Sequence, residues 1–181
     1  MTLEEIVAEV SKIKGWFSAS EMAALYPYVK PLFPNRLLVE LGTYAGRSTL
    51  FFRLAAPPIR IITIDICKKV WTDESIAVEK IWPQVVAHGN IFAVEGDSAE
   101  IFPKFTLPID FLFIDRRHTY PETKIDIETW GSLVKVGGMI GFHDYNPGFP
   151  GVVQLVDELA KDPRFSLLTA VNGVAVLLKN S

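Results

Sequence analysis

Two short segments of the 181-residue chain carry residue types that move protons or bind cations. Phe113-Ile114-Asp115-Arg116-Arg117-His118-Thr119-Tyr120 ends an apolar run in an acid and places a histidine three residues further on. Gly141-Phe142-His143-Asp144-Tyr145 ends a second apolar run in a histidine–aspartate pair. Carboxylates beside imidazoles support three chemistries. His118 or His143 could take a proton from a reacting hydroxyl as general base, with Asp115 beside them. Asp115, His143 and Asp144 could hold a divalent metal such as Mg, being an oxygen-rich set with one imidazole. Asp115 could instead bind a cationic amino group. A lone histidine is more often structural than catalytic, but two histidines and two aspartates converging on one ligand edge favour a functional role.

A third segment, Leu37-Leu38-Val39-Glu40-Leu41-Gly42-Thr43-Tyr44-Ala45-Gly46-Arg47-Ser48-Thr49, suits ligand binding. An apolar run ends near an acid, a glycine turn follows, and a helical pattern begins with Phe51, Phe52 and Leu54. This reads as a buried parallel strand, a tight turn, and a helix N-terminus whose free N–H groups face an anion. Doubly wound α/β proteins hold nucleotide-like cofactors at this place. A dinucleotide fingerprint starting at Gly42 needs glycines where Tyr44 and Arg47 stand, and no Gly-Lys-Ser/Thr follows to make a P-loop. Asp65 ends the next apolar run, where an acid can accept hydrogen bonds from ribose hydroxyls or cap the following turn. Asp97 or Ser98, after Gly96, could cap a short helix.

The elements that must position these groups follow from periodicity. Strands are expected over 36–41, 59–65, 90–95, 109–115 and 139–143, and helices over 47–54, 74–86, 99–103, 120–133 and 152–161. Helices over 3–13 and 21–29 precede them, the second kinked or stopped by Pro27. The alternation argues a parallel sheet wound by right-handed crossovers. The C-terminus departs from it. Phe165 to Ala170 and Val174 to Leu178 flank Asn172-Gly173, a strong hairpin signal. Lys135 to Gly138 reads as a turn between a helix and strand 5, and Trp130 as scaffold.

What remains of the glycine motif, Glu40-x-Gly42-x-x-x-Gly46, resembles the first motif of class I S-adenosylmethionine-dependent methyltransferases. Glu40 to Ser48 is similar to the wording of catechol-type O-methyltransferases and small bacterial relatives, including a macrolide and sugar O-methyltransferase group. The resemblance extends from Gly15-Trp16 through Asp115 to Tyr145, Gly151 to Leu159, and Gly173 to Leu177. It implies an α/β, three-layer Rossmann-like methyltransferase fold, its seven-stranded sheet in the order 3-2-1-4-5-7-6 with strand 7 antiparallel. It implies S-adenosyl-L-methionine as cofactor, held by Glu40, Gly42, Thr43, Tyr44, Gly46, Ser48, Asp65, Ile66, Gly96, Asp97, Ser98 and Asp115. It places His118 at the offset of the catalytic lysine of catechol-type enzymes. The expected reaction is O-methylation of a small hydroxylated acceptor. Arg116 and Arg117 stand where a Gly-Asp pair is usual, and His143 where some metal-dependent relatives carry Asp. These departures count against a metal-dependent mechanism. The arginines read as a solvated pair, or as a pocket for an anionic substrate.

Length points to one domain over 1–181, with an N-terminal helical cap over 1–30 and a Rossmann-like core over 36–181. The 49% apolar composition is ordinary for a globular protein, and the net charge of −3 without a basic stripe argues against nucleic acid as partner. One cysteine, Cys67, excludes an internal disulfide. Glu4, Glu5 and Glu9 interrupt any signal-peptide pattern, and no apolar stretch approaches membrane-spanning length, so a cytoplasmic protein without membrane contact is expected. Small members of the resembled fold often bury their N-terminal helices against a partner, which would suit a homodimer. A nicotinamide-dependent oxidoreductase and a non-catalytic cofactor-binding module are the competing readings. The first conflicts with Tyr44, Arg47 and the terminal hairpin. The second conflicts with the survival of Asp115, His118, His143 and Asp144.

Overall fold

The computed structural model describes residues 1–32, 35–66 and 85–181. In chain order these form α1 (Leu3–Val10), α2 (Ala19–Val29), β1 (Leu37–Leu41), α3 (Arg47–Ala55), β2 (Arg60–Asp65), β3 (Ile91–Glu95), α4 (Ser98–Ile101), β4 (Ile109–Ile114), α5 (Tyr120–Glu128), β5 (Val134–Tyr145), α6 (Pro150–Leu159), β6 (Phe165–Val171) and β7 (Gly173–Lys179). The helix expected over 74–86 lies almost wholly outside the described residues, as do Cys67, Trp71 and Trp82.

Seven strands make one sheet in the order β3-β2-β1-β4-β5-β7-β6. β1, β2, β3, β4 and β5 pair in parallel, and β7 runs antiparallel to both β5 and β6. β1 and β4 are buried along their whole length, which is why their sequences are continuous apolar runs rather than alternating ones. Successive side chains still go to opposite faces. Leu38, Phe111, Phe113, Val174 and Val176 pack with α1, α2 and α3 residues such as Ile6, Met22, Phe51 and Phe52. Leu37, Val39, Leu112, Ile114, Ala175 and Leu177 pack with Trp130 and the α6 face Val152, Leu155 and Val156.

The terminal hairpin turns where expected, with Asn172 at φ 54° and Gly173 at φ 85°. Three expectations shift. Pro27 neither stops nor shortens α2, which continues to Val29. The helix expected over 120–133 ends at Glu128, and a 3-10 turn over Trp130–Leu133 seats Trp130 against Phe102 and Phe105. The turn read at Lys135 to Gly138 lies inside β5, as a register shift that pairs Val134 with Ile109 and Met139 with Phe111.

β1 lies between β2 and β4, so consecutive crossovers leave in opposite directions from its carboxyl end. That divergence opens a crevice at the strand ends. Among the described residues, no helix is long and apolar enough to cross a membrane.

Candidate active site

The crevice is floored by the β1–α3 turn. Gly42 has φ +92°, and a Cβ there would lie 1.8 Å from the Asp115 carbonyl oxygen, so only glycine lets β1 and β4 end side by side. Asp65 Oδ2 accepts from the backbone N–H of Thr43 at 2.6 Å and of Tyr44 at 2.8 Å. The strand-2 acid therefore shapes the glycine turn from the side. Gly46 caps α3 in the left-handed conformation and brings no side-chain cap, so the first-turn N–H groups are left for a ligand.

Glu40 takes a station other than the expected one. It is fully buried and lines neither cavity of the crevice. Its carboxylate accepts from three hydroxyls: Ser48 Oγ at 2.6 Å, Thr49 Oγ1 at 2.5 Å and Thr63 Oγ1 at 2.7 Å. Thr63 and Thr43 hydroxyls are bonded in turn. Burial raises the Glu40 carboxyl to about 7 against the opposing pull of the three hydroxyls. It anchors the glycine turn from beneath, through hydroxyls of β2 and α3. Ser48 still faces the crevice, but its proton is committed to Glu40.

Two adjoining cavities open above this floor. One, of about 420 Å³, is lined by Gly42, Ile64, Asp65, Ile66, Gly96, Asp97 and Ser98, with Arg116 and Arg117 at its edge. Ser98 Oγ is buried in its wall without a hydrogen-bond partner among the described residues. Both Asp97 oxygens are engaged: Oδ1 accepts from Ala99 N at 2.9 Å, and Oδ2 from Arg117 at 2.7 Å. Arg117 also reaches Glu122 at 2.9 Å. Arg116 forms a fork on the buried carboxylate of Asp126, at 2.8 to 3.0 Å. The arginines thus part company: Arg116 is largely buried on Asp126, whereas Arg117 is exposed to solvent and bridged to Asp97 and Glu122, so neither forms an open anion pocket.

The second cavity, of about 350 Å³, is lined by Trp16, Phe17, Arg47, Ser48 and Phe149 and floored by Asp115, His118, His143 and Asp144. Thr43, Tyr44, Asp115, His118 and Trp16 border both cavities. The four polar groups meet closely. His118 Nε2 lies 2.8 Å from Asp144 Oδ2 and 3.5 Å from Asp115 Oδ1. His143 Nδ1 lies 3.0 Å from Asp144 Oδ2 and 3.2 Å from Asp115 Oδ1. The β5–β7 register breaks between Phe142 and Tyr145, and Asp144 takes φ 59°. In a regular strand His143 and Asp144 would face opposite sides of the sheet. The bulge turns both to one rim.

Charge sets the protonation of this cluster. Burial alone would push His143 down, but Asp115, Asp144 and Glu21 outweigh it and hold the imidazole up to about 12. Asp115 and Asp144 raise His118 to about 9 against burial. Burial opposes ionisation of both aspartates, and the imidazoles overcome it, holding both carboxyls below their ordinary value. His143 is also the more enclosed histidine, with Glu21 Oε1 3.1 Å from Nε2. Its ring nitrogens lie near carboxylate oxygens without meeting hydrogen-bond angles, so these contacts are ion pairs. A buried imidazolium held between three carboxylates keeps its proton at neutral pH, which counts against His143 as base. Among the described residues, Asp115, His118 and Asp144 form a group whose ligand atoms lie within 4.8 Å of one another, so His118 joins two of the three expected metal ligands.

Sequence reasoning missed Glu21, Phe17, Arg47 and Phe149 as site residues. Arg47 donates to the Gly15 carbonyl at 3.0 Å, and Phe149 packs on the His118 ring with centroids 4.8 Å apart. Trp16 and Tyr44 rings meet at 5.1 Å over the glycine turn. The Ser18-x-x-Glu21 spacing was the available signal for Glu21, but such a pattern reports a helix start and says nothing of a distant histidine.

Sheet order, the antiparallel β7 and a cofactor-sized crevice at the β1–β4 divide define a class I methyltransferase fold. A profile of the family described as a methyltransferase domain matches residues 39–145, and the chain belongs to that family. Catechol O-methyltransferase B of Danio rerio is 29% identical over 136 residues, covering 71% of this chain and 49% of that protein. An uncharacterized protein, y4gI, of Sinorhizobium fredii is 31% identical over 146 residues, covering 73% of this chain and 16% of that protein. The chain thus spans less than half the length of either curated relative. The O-methyltransferase TomG of Streptomyces achromogenes, solved in complex with SAM, superposes with a TM-score of 0.69 at 18% identity, covering 99% of this chain and 89% of that one.

Proposed function

We propose that this chain binds S-adenosylmethionine in the Asp65–Ser98 cavity and transfers its methyl group to a hydroxyl of a small molecule in the Trp16–Phe149 cavity. The observation that carries the reading is the junction of the cavities: Asp115 and His118 border both, so a donor in one and an acceptor in the other meet at these groups. The residues present fit the cofactor. Gly42 leaves bare backbone, Asp65 stands at the strand end for a ribose, and the buried Ser98 hydroxyl lacks a partner among the described residues. When bound, S-adenosylmethionine supplies an electrophilic methyl on a sulfonium. The α3 N-terminus suits its carboxylate. Holding the acceptor in line is worth several orders of magnitude in rate.

His118, raised to about 9, accepts the hydroxyl proton in its deprotonated form, so transfer should rise with pH toward 9, a step contributing typically about 10²–10⁴-fold. It is the more exposed histidine of the rim, 35% against 5% for His143. Asp115 and Asp144 stabilise the imidazolium that results. A second reading rests on the ligand geometry. Asp115, His118 and Asp144 fit a divalent cation, and such an ion would lower the hydroxyl pKa as a Lewis acid.

The test combines calorimetry with S-adenosylhomocysteine and methyl transfer from labelled S-adenosylmethionine to a panel of phenolic, sugar and polyketide hydroxyls, with and without chelator. Micromolar binding, transfer lost in His118→Asn, and transfer unchanged by chelator support the first reading. Loss of transfer on chelation supports the second. Absence of S-adenosylhomocysteine binding overturns both.

A further inference from the structure

We infer that Glu21, in the N-terminal helical cap, is a positioning residue of the transfer site, and that Gly15–Glu21 is a strap completing that site rather than a lid beside it. The inference rests on the methyltransferase reading for its kinetic consequence, but not for its geometry.

Ser18 starts α2 with a capping box. Glu21 N–H donates to Ser18 Oγ at 3.3 Å, and Glu21 Oε2 accepts from Ser18 N–H at 2.5 Å. A capping box needs only one carboxylate oxygen. The other, Oε1, lies 3.1 Å from His143 Nε2. Space is kept for it on the sheet: a Cβ on Gly173 would lie 2.7 Å from Oε1. Glu21 is itself buried, and His143 holds its carboxyl below the ordinary value even though burial opposes this.

The strap touches the site at three further points. Phe17 packs on the His143 ring at 5.8 Å, Trp16 on Tyr44 at 5.1 Å, and the Gly15 carbonyl accepts from Arg47 at 3.0 Å. His143 is therefore fixed from both sides: Glu21 on Nε2, and Asp115 with Asp144 on Nδ1. An imidazole so held keeps the two aspartates at one spacing. A neutral amide at position 21 has one acceptor oxygen, so it cannot serve both Ser18 N–H and His143 Nε2.

Two variants separate positioning from folding. Glu21→Gln removes the charge facing His143, while Ser18→Ala weakens the helix cap and leaves the carboxylate. In ¹⁵N-histidine-labelled protein, Glu21→Gln is expected to move the His143 Nε2 resonance by several ppm, and Ser18→Ala to leave it in place. On an acceptor turned over by the wild type, Glu21→Gln should lower kcat at least tenfold with acceptor KM and S-adenosylhomocysteine Kd within threefold. Ser18→Ala should lower the Tm by several degrees and keep kcat within twofold. An unmoved His143 resonance in Glu21→Gln overturns the contact, and unchanged kcat overturns the positioning role. Wild-type protein that fails to bind S-adenosylhomocysteine overturns the methyltransferase reading instead, and the resonance then decides the contact alone.

Discussion

Glu40 offers the sharpest quantitative test of the glycine turn. Its carboxyl is fully buried, with three hydroxyls donating to it, and burial still lifts it from 4.5 to about 7. The folded protein thus holds this proton more tightly than the unfolded chain. Below pH 4.5 both states are protonated and the group contributes nothing. Between pH 4.5 and 7 the unfolded chain ionises first, so stability falls as pH rises, and above 7 the full cost is present. At about 1.4 kcal/mol per tenfold change in proton affinity, the full cost is about 3 kcal/mol. Most of it develops between pH 5 and 8. Urea unfolding of wild type and Glu40→Gln at both pH values isolates it. The histidines titrate in both proteins and cancel, as does the pH-independent cost of hydroxyls left with a poorer acceptor. The wild type should lose about 2 to 3 kcal/mol more than the variant over this interval. Parallel losses would mean that Glu40 stays ionised down to its ordinary range, and that hydroxyl donation outweighs burial.

Other substitutions probe separate parts of the crevice. Gly42→Ala places a methyl 1.8 Å from the Asp115 carbonyl oxygen, so β1 and β4 must part; expected are a lowered Tm and S-adenosylhomocysteine binding too weak for calorimetry, and an unchanged Kd would contradict the close approach. Asp65→Asn keeps the shape but loses a charged acceptor worth roughly 1.5–3 kcal/mol, so Kd for S-adenosylhomocysteine should rise about 10- to 100-fold. Arg116→Ala strands Asp126, which is 1% exposed, and should cost about 3 kcal/mol in urea unfolding. Arg117→Ala removes half-exposed pairs and should cost under about 1 kcal/mol; equal costs for the two arginines would refute the distinction.

The parts of the fold that sequence reveals are those fixed by local pattern. β1 and β4 show as uninterrupted apolar runs because both faces are covered, and Asn172-Gly173 shows because its left-handed turn admits few residue types. Asp65 is legible because topology alone puts an acid at that strand end. The rim is legible in composition but not in geometry. That Asp144 and His143 face the same way depends on a β5–β7 bulge, and the bulge depends on a partner strand about thirty residues later. Arg116 and Arg117 misled because their partners lie on two other segments, Asp97 at the start of α4 and Glu122 with Asp126 on α5. Glu40 misled because burial beneath a turn and exposure above it give the same sequence signal.

Backbone conformation marks the site independently of side-chain chemistry. Seven non-glycine residues among those described have positive φ, and three of them, Asn35, Asn90 and Asn172, line neither cavity of the crevice. The other four are Tyr44, Arg117, His118 and Asp144, and every one borders the crevice. Such conformations cost on the order of 1–3 kcal/mol each and persist only where surrounding contacts fix them. Those contacts are visible. Tyr44 N–H is held by Asp65, Arg117 is bridged to Asp97 and Glu122, His118 N–H donates to the Arg116 carbonyl at 2.7 Å, and Asp144 is held by both imidazoles. The strained turns bring Asp115, His118 and Asp144 within reach of one another before any ligand arrives. A site assembled in this way spends folding stability on fixed geometry, which is what the proposed in-line transfer between the two cavities would require.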